Sequence, residues 1–272
     1  MKPVSKTAFY CGAIRAWDAE SPQPVLGDQY ARLFIADEIG ELMEPYRAER
    51  YPNAGNIVRP RVIDDLLRED LARNPNRLMV LIGACFDSRA FRLPGGRWVE
   101  VDEEAVFVHK EPRLPAASAP NPLVRIPIDF ATESLADKLA PYRGESDVTV
   151  VVEGVTMYLT QLQTSAMVRA ITATFPRHTL LCDLVTAGFM KRYGASIQAR
   201  LGQLGARFGE LVERPEAEFL KAGYRPVKQW SLMRAVRDYN AAPIPWIVLV
   251  TLLRPGLKGS QVWRFDYGPP RV

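Results

Sequence analysis

The chain has 272 residues, 47% of them hydrophobic and 24% charged, with 35 basic against 31 acidic side chains for a net charge of +4. That make-up is ordinary for one large folded domain, and it excludes a mainly disordered chain, a collagen and a disulfide scaffold. The charge excess is small and has no basic block, which disfavours nucleic acid as a partner and suits a small anionic substrate.

No run approaches the roughly 20 apolar residues needed to span a bilayer. The longest, Ile244 to Leu253, is interrupted by Pro245. The first 20 residues carry Lys2, Lys6, Arg15, Asp18 and Glu20 and no apolar h-region, so a cytoplasmic protein without a secretory signal is expected. Cys11, Cys85 and Cys182 are odd in number and far apart, which reads as free thiols in a reducing compartment. His109 and His178 lack companions at ligand spacing, so no metal is expected. The sequence leaves monomer and homodimer equally open.

In chain order, residues 1–60 read as helical and precede the first strand. Val62, Ile63, Leu66, Leu67 and Leu71 recur at helical spacing between charged residues and predict an amphipathic helix. Leu78–Ile82 is a short apolar run suited to a strand buried on both faces. Arg97–Asp102, Leu123–Ile128, Val148–Val152 and Thr179–Val185 read as further strands, and Gln161–Thr174 as a helix. The five prolines between Pro112 and Pro127 require a loop. Residues 186–223 read as charged, helical and glycine-interrupted, a cap over the strand ends like residues 1–60. Trp246–Leu253 and Gln261–Tyr267, separated by Arg254-Pro255-Gly256, look like a closing strand pair. The alternation implies one α/β domain over residues 1–272, built on a parallel sheet with helices on both faces.

Ligands of such sheets bind at the carboxyl ends of the strands. Gly83, Asp102, Asp129 and Glu153 stand at those ends. The run Gly83-Ala84-Cys85-Phe86-Asp87-Ser88-Arg89 puts small residues after the first strand, where backbone can approach a nucleotide-like ligand. Asp102 follows Gly83 by 19 residues and ends the next strand, a position from which a carboxylate accepts both ribose hydroxyls. Dinucleotide sites share this arrangement, but their second and third glycines are here Cys85 and Ser88. A ligand with adenosine and no pyrophosphate, S-adenosyl-L-methionine, fits better than NAD.

These blocks resemble the leucine carboxyl methyltransferase family, in particular its bacterial branch similar to the tetracenomycin-type polyketide O-methyltransferases. The resemblance rests on Val58-Arg59-Pro60-Arg61-Val62-Ile63-Asp64, on Gly83 to Leu93, on Glu100-Val101-Asp102 and on Glu153-Gly154-Val155-Thr156-Met157-Tyr158-Leu159, in that order. It implies the class I methyltransferase fold, a Rossmann-like seven-stranded sheet of order 3-2-1-4-5-7-6 with strand 7 antiparallel. It implies that Arg59 clamps the carboxylate of the cofactor's methionine part, and that Gly83, Ala84, Cys85 and Asp87 form the cofactor loop. Asp102 would hold the ribose, and Asp129 and Phe130 would flank the adenine, although Asp129 equally suits a helix cap. Glu153 would lie near the cofactor's amino group, and Tyr158 would line the acceptor pocket. Relatives usually carry glycine where Cys85 stands.

The implied chemistry is methyl transfer to oxygen. A carboxylate acceptor is ionised at neutral pH and needs no general base, in keeping with a sequence poor in histidine. No catalytic side chain is then required beyond alignment and exclusion of water. A phenolic acceptor would need a base, with His109, His178 and Glu153 as candidates. A nicotinamide-dependent oxidoreductase and a non-catalytic cofactor-binding module are the remaining alternatives.

Overall fold

A computed structural model describes residues 3–35, 40–41 and 43–269, with side chains from Thr7 onward, so Lys2 and the side chain of Lys6 lie outside the described residues. Seven strands form one sheet: β1 (Leu78–Ile82), β2 (Arg97–Asp102), β3 (Leu123–Pro127), β4 (Val148–Val152), β5 (His178–Val185), β6 (Arg225–Ser231) and β7 (Ser260–Tyr267). Their order is β3-β2-β1-β4-β5-β7-β6. The first five run parallel, and β7 is antiparallel to both β5 and β6, as the family resemblance implies.

β1 is apolar throughout and β4 nearly so, because both sheet faces are covered. Leu78, Val80 and Ile82 of β1 pack in one layer with Met167, Val168 and Ile171 of the helix Gln161–Thr174. Met79 and Leu81 point the other way, to Val62, Ile63, Leu66 and Leu67 of the helix Arg50–Arg73. Alternate residues of a strand face opposite sides, so only a two-sided core permits five consecutive buried residues. The helix Gln161–Thr174 starts at a reciprocal capping box between Thr160 and Gln163.

Three expectations need correction. Trp246–Leu253 is no strand: Trp246–Val250 is helical and Arg254–Lys258 forms a 3-10 turn. The partner of β7 is Arg225–Ser231, a polar and mostly exposed edge strand whose register shifts between Pro226 and Lys228. Proline and exposed polar residues are tolerated at an edge because one side of the ladder is unpaired. The proline-rich loop ends before Leu123, and Pro127 itself closes the other edge strand, β3. The helix that packs beneath the first strand also begins earlier than expected, at Arg50, and runs unbroken across residue 60. No helix among the described residues is long and apolar enough to cross a membrane.

Candidate active site

Adjacent parallel strands bring their carboxyl ends together. β4 leads into Glu153, and its neighbour β5 carries Asp183 near its end. The helix Arg50–Arg73 passes over them and presents Arg59. Arg59 Nε donates to Glu153 Oε1 at 3.0 Å, and Nη1 donates to Asp183 Oδ2 at 3.4 Å. The other oxygen of each acid is taken as well: Gly154 N–H donates to Asp183 Oδ1 at 2.6 Å, and Arg89 Nη2 donates to Glu153 Oε2 at 2.7 Å.

Arg89 is the hub of a buried network. Its Nε donates to Asp64 Oδ1 at 2.6 Å and its Nη1 to Asp87 Oδ2 at 2.5 Å. Arg92 Nη1 donates to Asp64 Oδ2, also at 2.6 Å. Burial opposes ionisation of Glu153, but the guanidinium groups of Arg89 and Arg59 outweigh it and hold this carboxyl below its usual range. At Asp183 burial prevails over Arg59 and the Gly154 N–H, so its carboxyl is pushed up. Burial likewise works against the charge of Arg59, and Asp183 and Glu153 more than restore it.

The loop after β1 needs its glycine. Gly83 has φ +72°, and a Cβ there would stand 2.5 Å from Val155 Cγ2. Cys85 is also left-handed, at φ +46°, an uncommon state for a side-chain-bearing residue. It is held there from β2: Cys85 N–H donates to Asp102 Oδ2 at 2.6 Å, and Glu103 N–H donates to Asp102 Oδ1 at 2.6 Å. Burial pushes the Asp102 carboxyl up, and these two N–H groups only partly offset it. The Cys85 thiol is pushed up by burial and by Asp102. Cys11, Cys85 and Cys182 are all free thiols.

A cavity of about 590 Å³ opens between these strand ends and the cap. Arg59, Gly83, Ala84, Cys85, Asp87, Glu153 and Tyr158 all line it. Asp102 stands one layer behind, reaching the lining through Cys85. Asp129 and Phe130 are not in the lining. The Asp129 carboxylate instead accepts from Ala131 N–H and Thr132 Oγ1, each at 3.1 Å, and Phe130 is exposed. The opposite wall comes from Tyr10, Cys11 and Arg15 of the helix Pro3–Ala19 and from Phe189 to Phe208. It is completed by residues between Leu232 and Leu253, which the sequence assigned no part in the cap. Tyr158 stacks on Phe208 with ring centres 5.7 Å apart, and burial pushes its hydroxyl pKa upward.

Neither histidine lines the cavity. His109 Nε2 lies 3.1 Å from the Phe34 carbonyl, with its ring against Phe9 and Phe86. His178 begins β5 at the far end of the sheet, bonded to the Phe175 carbonyl and the Tyr224 hydroxyl. Sequence reasoning singled out neither Asp183 nor Arg89. Both carried a signal: a charged residue inside an otherwise apolar strand, and one directly following the cofactor-loop turn, are expensive unless paired.

The donor set suits a zwitterionic amino-acid end. Two guanidiniums, Arg59 and Arg89, and three carboxylates, Asp87, Glu153 and Asp183, share a wall of the cavity, so a bound carboxylate and ammonium each find an opposite charge. The volume lies within the range of pockets for ligands of drug size, about 300–1,000 Å³. S-adenosyl-L-methionine presents such an end, and Arg59, Glu153 and Asp183 are the residues that would hold it.

The sequence matches the leucine carboxyl methyltransferase family over residues 8–172, more than half of the chain. The tetracenomycin polyketide synthesis O-methyltransferase TcmP of Streptomyces glaucescens is 26% identical over 256 residues, spanning 90% of this chain and 89% of its own. A Streptomyces coelicolor protein assigned to the S-adenosyl-L-methionine-dependent methyltransferases is 27% identical over 190 residues, and there the match spans 62% of this chain but only 61% of the relative. Among solved structures, a DUF574 family protein from Streptomyces avermitilis has a TM-score of 0.59 at 13% identity, covering 93% of this chain and 99% of its own. Magnesium protoporphyrin IX methyltransferase from Synechocystis, crystallised with bound S-adenosylmethionine, has a TM-score of 0.51 at 11% identity, covering 92% and 97%. At such identity these two likenesses speak for the fold alone. The sequence match, the strand order and the charged strand-end site agree, and the chain belongs to the leucine carboxyl methyltransferase family, S-adenosyl-L-methionine-dependent methyltransferases of class I fold.

Proposed function

We propose that this protein methylates a carboxylate oxygen of a small molecule with an extended apolar body, such as a polyketide acid. The observation that carries the reading is the make-up of the cavity wall: it holds no histidine, and its Tyr158 hydroxyl and Cys85 thiol are pushed away from ionisation. A carboxylate acceptor arrives ionised and needs no proton removed. When bound, S-adenosylmethionine supplies a methyl group on a positively charged sulfur, which an oxygen nucleophile takes while a neutral thioether is left.

The chain's own residues bind and orient. Arg59 meets the methionine carboxylate, with Glu153 and Asp183 beside it for the ammonium. Gly83 to Cys85 bring the backbone close, and Asp102, whose oxygens each accept one bond and keep a second lone pair, supports that loop from one layer behind, from where it would reach the ribose past Cys85. The apolar cap keeps water from the acceptor oxygen, so that alignment rather than proton transfer sets the rate. The polyketide O-methyltransferase relative supports an acceptor of that size.

A second reading, a phenolic acceptor, has Asp183 in its favour. Its carboxyl is held above the usual range and lines the cavity, where it could serve as a base. Turnover of aromatic polyketide acids with S-adenosylmethionine separates the two. A carboxylate acceptor gives a base-labile ester and a kcat nearly flat between about pH 6 and pH 9. A base-stable methyl ether, with a rising limb that Asp183→Asn removes, would establish the phenol instead.

A further inference from the structure

Most buried polar atoms of the cavity wall are satisfied by neighbours. Three residues of the cap side carry exceptions: Arg15, Tyr193 and Arg200. The Tyr193 hydroxyl and Arg200 Nε are both buried without a hydrogen-bond partner, and both residues line the cavity. We propose that Tyr193 and Arg200 form a recognition site for a second anionic oxygen group of the acceptor, remote from the oxygen that is methylated. The inference rests on the methyltransferase reading for the roles of the two ends of the cavity.

Arg200 lies on the helix Ala195–Gln203 and is almost fully buried. Its guanidinium packs between the rings of Tyr10 and Tyr46, 5.1 and 5.0 Å from their centres. Nη1 donates to the Tyr10 hydroxyl, and Nη2 meets the carboxylate of Glu49, which is partly open to solvent. This fixes the plane of the guanidinium and leaves Nε over. Tyr193 ends the preceding helix, Ala187–Tyr193, and its ring packs on Phe189 at 5.1 Å. Gly194 alone separates the two helices, so both residues lie on one short stretch of the wall.

A buried donor without a partner costs free energy, and an arginine stays charged at any physiological pH. Of the other buried orphans, those on Asp28, Arg77, Glu100 and Arg125 lie away from the cavity lining, and Arg15, which does line it and also keeps Nε over, is fixed by its terminal nitrogens against Asp28 and the Phe86 carbonyl of the cofactor loop, at the opposite end of the proposed pair of sites. The same cavity is lined by the apolar side chains Met157, Leu201, Leu204, Phe208 and Val248. An acceptor that fits has a flat apolar body and charged oxygens at both ends. Glu49 holds Arg200 until the ligand's anion displaces it.

The test compares naphthalene-2,6-dicarboxylate with 2-naphthoate, binding to the full chain with and without S-adenosylhomocysteine, followed by ligand fluorescence. The dicarboxylate should bind the wild type about tenfold tighter, the scale of a charge-assisted pair. Arg200→Gln should abolish that preference, and Tyr193→Phe should reduce it about threefold through loss of one neutral hydrogen bond. Glu49→Gln should tighten the dicarboxylate and leave the monocarboxylate unchanged. Equal binding of the two probes by the wild type would overturn the proposal, as would a preference that survives Arg200→Gln. Tyr193→Phe and Glu49→Gln are near-isosteric and decide the question if Arg200→Gln does not fold. Failure of S-adenosylhomocysteine to bind the wild type would reject the methyltransferase reading, while the probe series without it still decides the role of Arg200.

Discussion

The two walls of the cavity are built on opposite terms. At the strand ends, Arg59, Asp64, Asp87, Arg89, Glu153 and Asp183 answer one another's charges, drawn from four separate stretches of chain. In the cap, apolar side chains dominate, and the polar atoms of Tyr193 and Arg200 remain over. A network satisfied without a ligand is rigid in advance, which suits a cofactor that is the same in every turnover. A wall with orphaned donors among apolar residues is completed only by what binds there, which suits an acceptor that differs among relatives of one fold.

The contrast can be broken most sharply at Arg89. Arg89→Met removes the hub and leaves Asp64 and Glu153 buried beside fewer cations, and losing one partner of a buried ion pair costs about 3–5 kcal/mol. Denaturation by urea should show that loss, while Tyr193→Phe in the cap should stay within about 0.5 kcal/mol because its hydroxyl has no partner to lose. Equal effects from the two substitutions would erase the distinction between a preformed and an unfilled wall.

A smaller effect separates the strand ends from the far end of the sheet. His178 is buried there, and burial lowers its pKa from the ordinary 6.5 to about 4. Between those values the unfolded chain binds a proton that the folded one refuses. Stability is therefore full above about pH 6.5 and falls as pH drops toward 4, by up to about 3 kcal/mol. Glu153, held below the usual carboxylate range, adds its own loss only at lower pH, as it is forced to protonate. Urea midpoints at pH 7 and pH 4.5 should differ strongly in the wild type and much less in His178→Gln. An unchanged difference in that variant would assign the acid sensitivity to carboxylates.

What was legible in the sequence follows from what its residues must satisfy. β1 and β4 could be read to the residue because a strand covered on both faces is dominated by apolar residues. β6 could not, since an edge strand facing solvent has no such constraint, and Arg225-Pro226-Val227-Lys228 resembles a loop. Trp246–Val250 is rich in β-branched residues and still helical, because Val248 and Leu249 pack into the cap rather than against the sheet. Gly83 and Glu153 were legible as residues of the cavity because topology alone delivers strand ends to one place. Tyr193 and Arg200 were not, because helix packing decides which face of the cap meets the cavity.

The smallest expected effect concerns the outer strand ends. Asp102 and Asp129 both follow strands and both looked fit to hold the cofactor. They differ in what they touch. Asp102 holds the left-handed Cys85 backbone within the cavity wall, so Asp102→Ala removes a carboxylate and loosens the loop it supports. Affinity for S-adenosylhomocysteine, measured by calorimetry, should fall by about 1–3 kcal/mol. Asp129 uses both oxygens on its own turn, outside the lining. Asp129→Ala should therefore weaken the same affinity less than about threefold, near 0.7 kcal/mol. A tenfold loss there would extend the cofactor surface to the end of β3, and the adenine would then rest beside Phe130 in a part of the groove that closes only around the ligand.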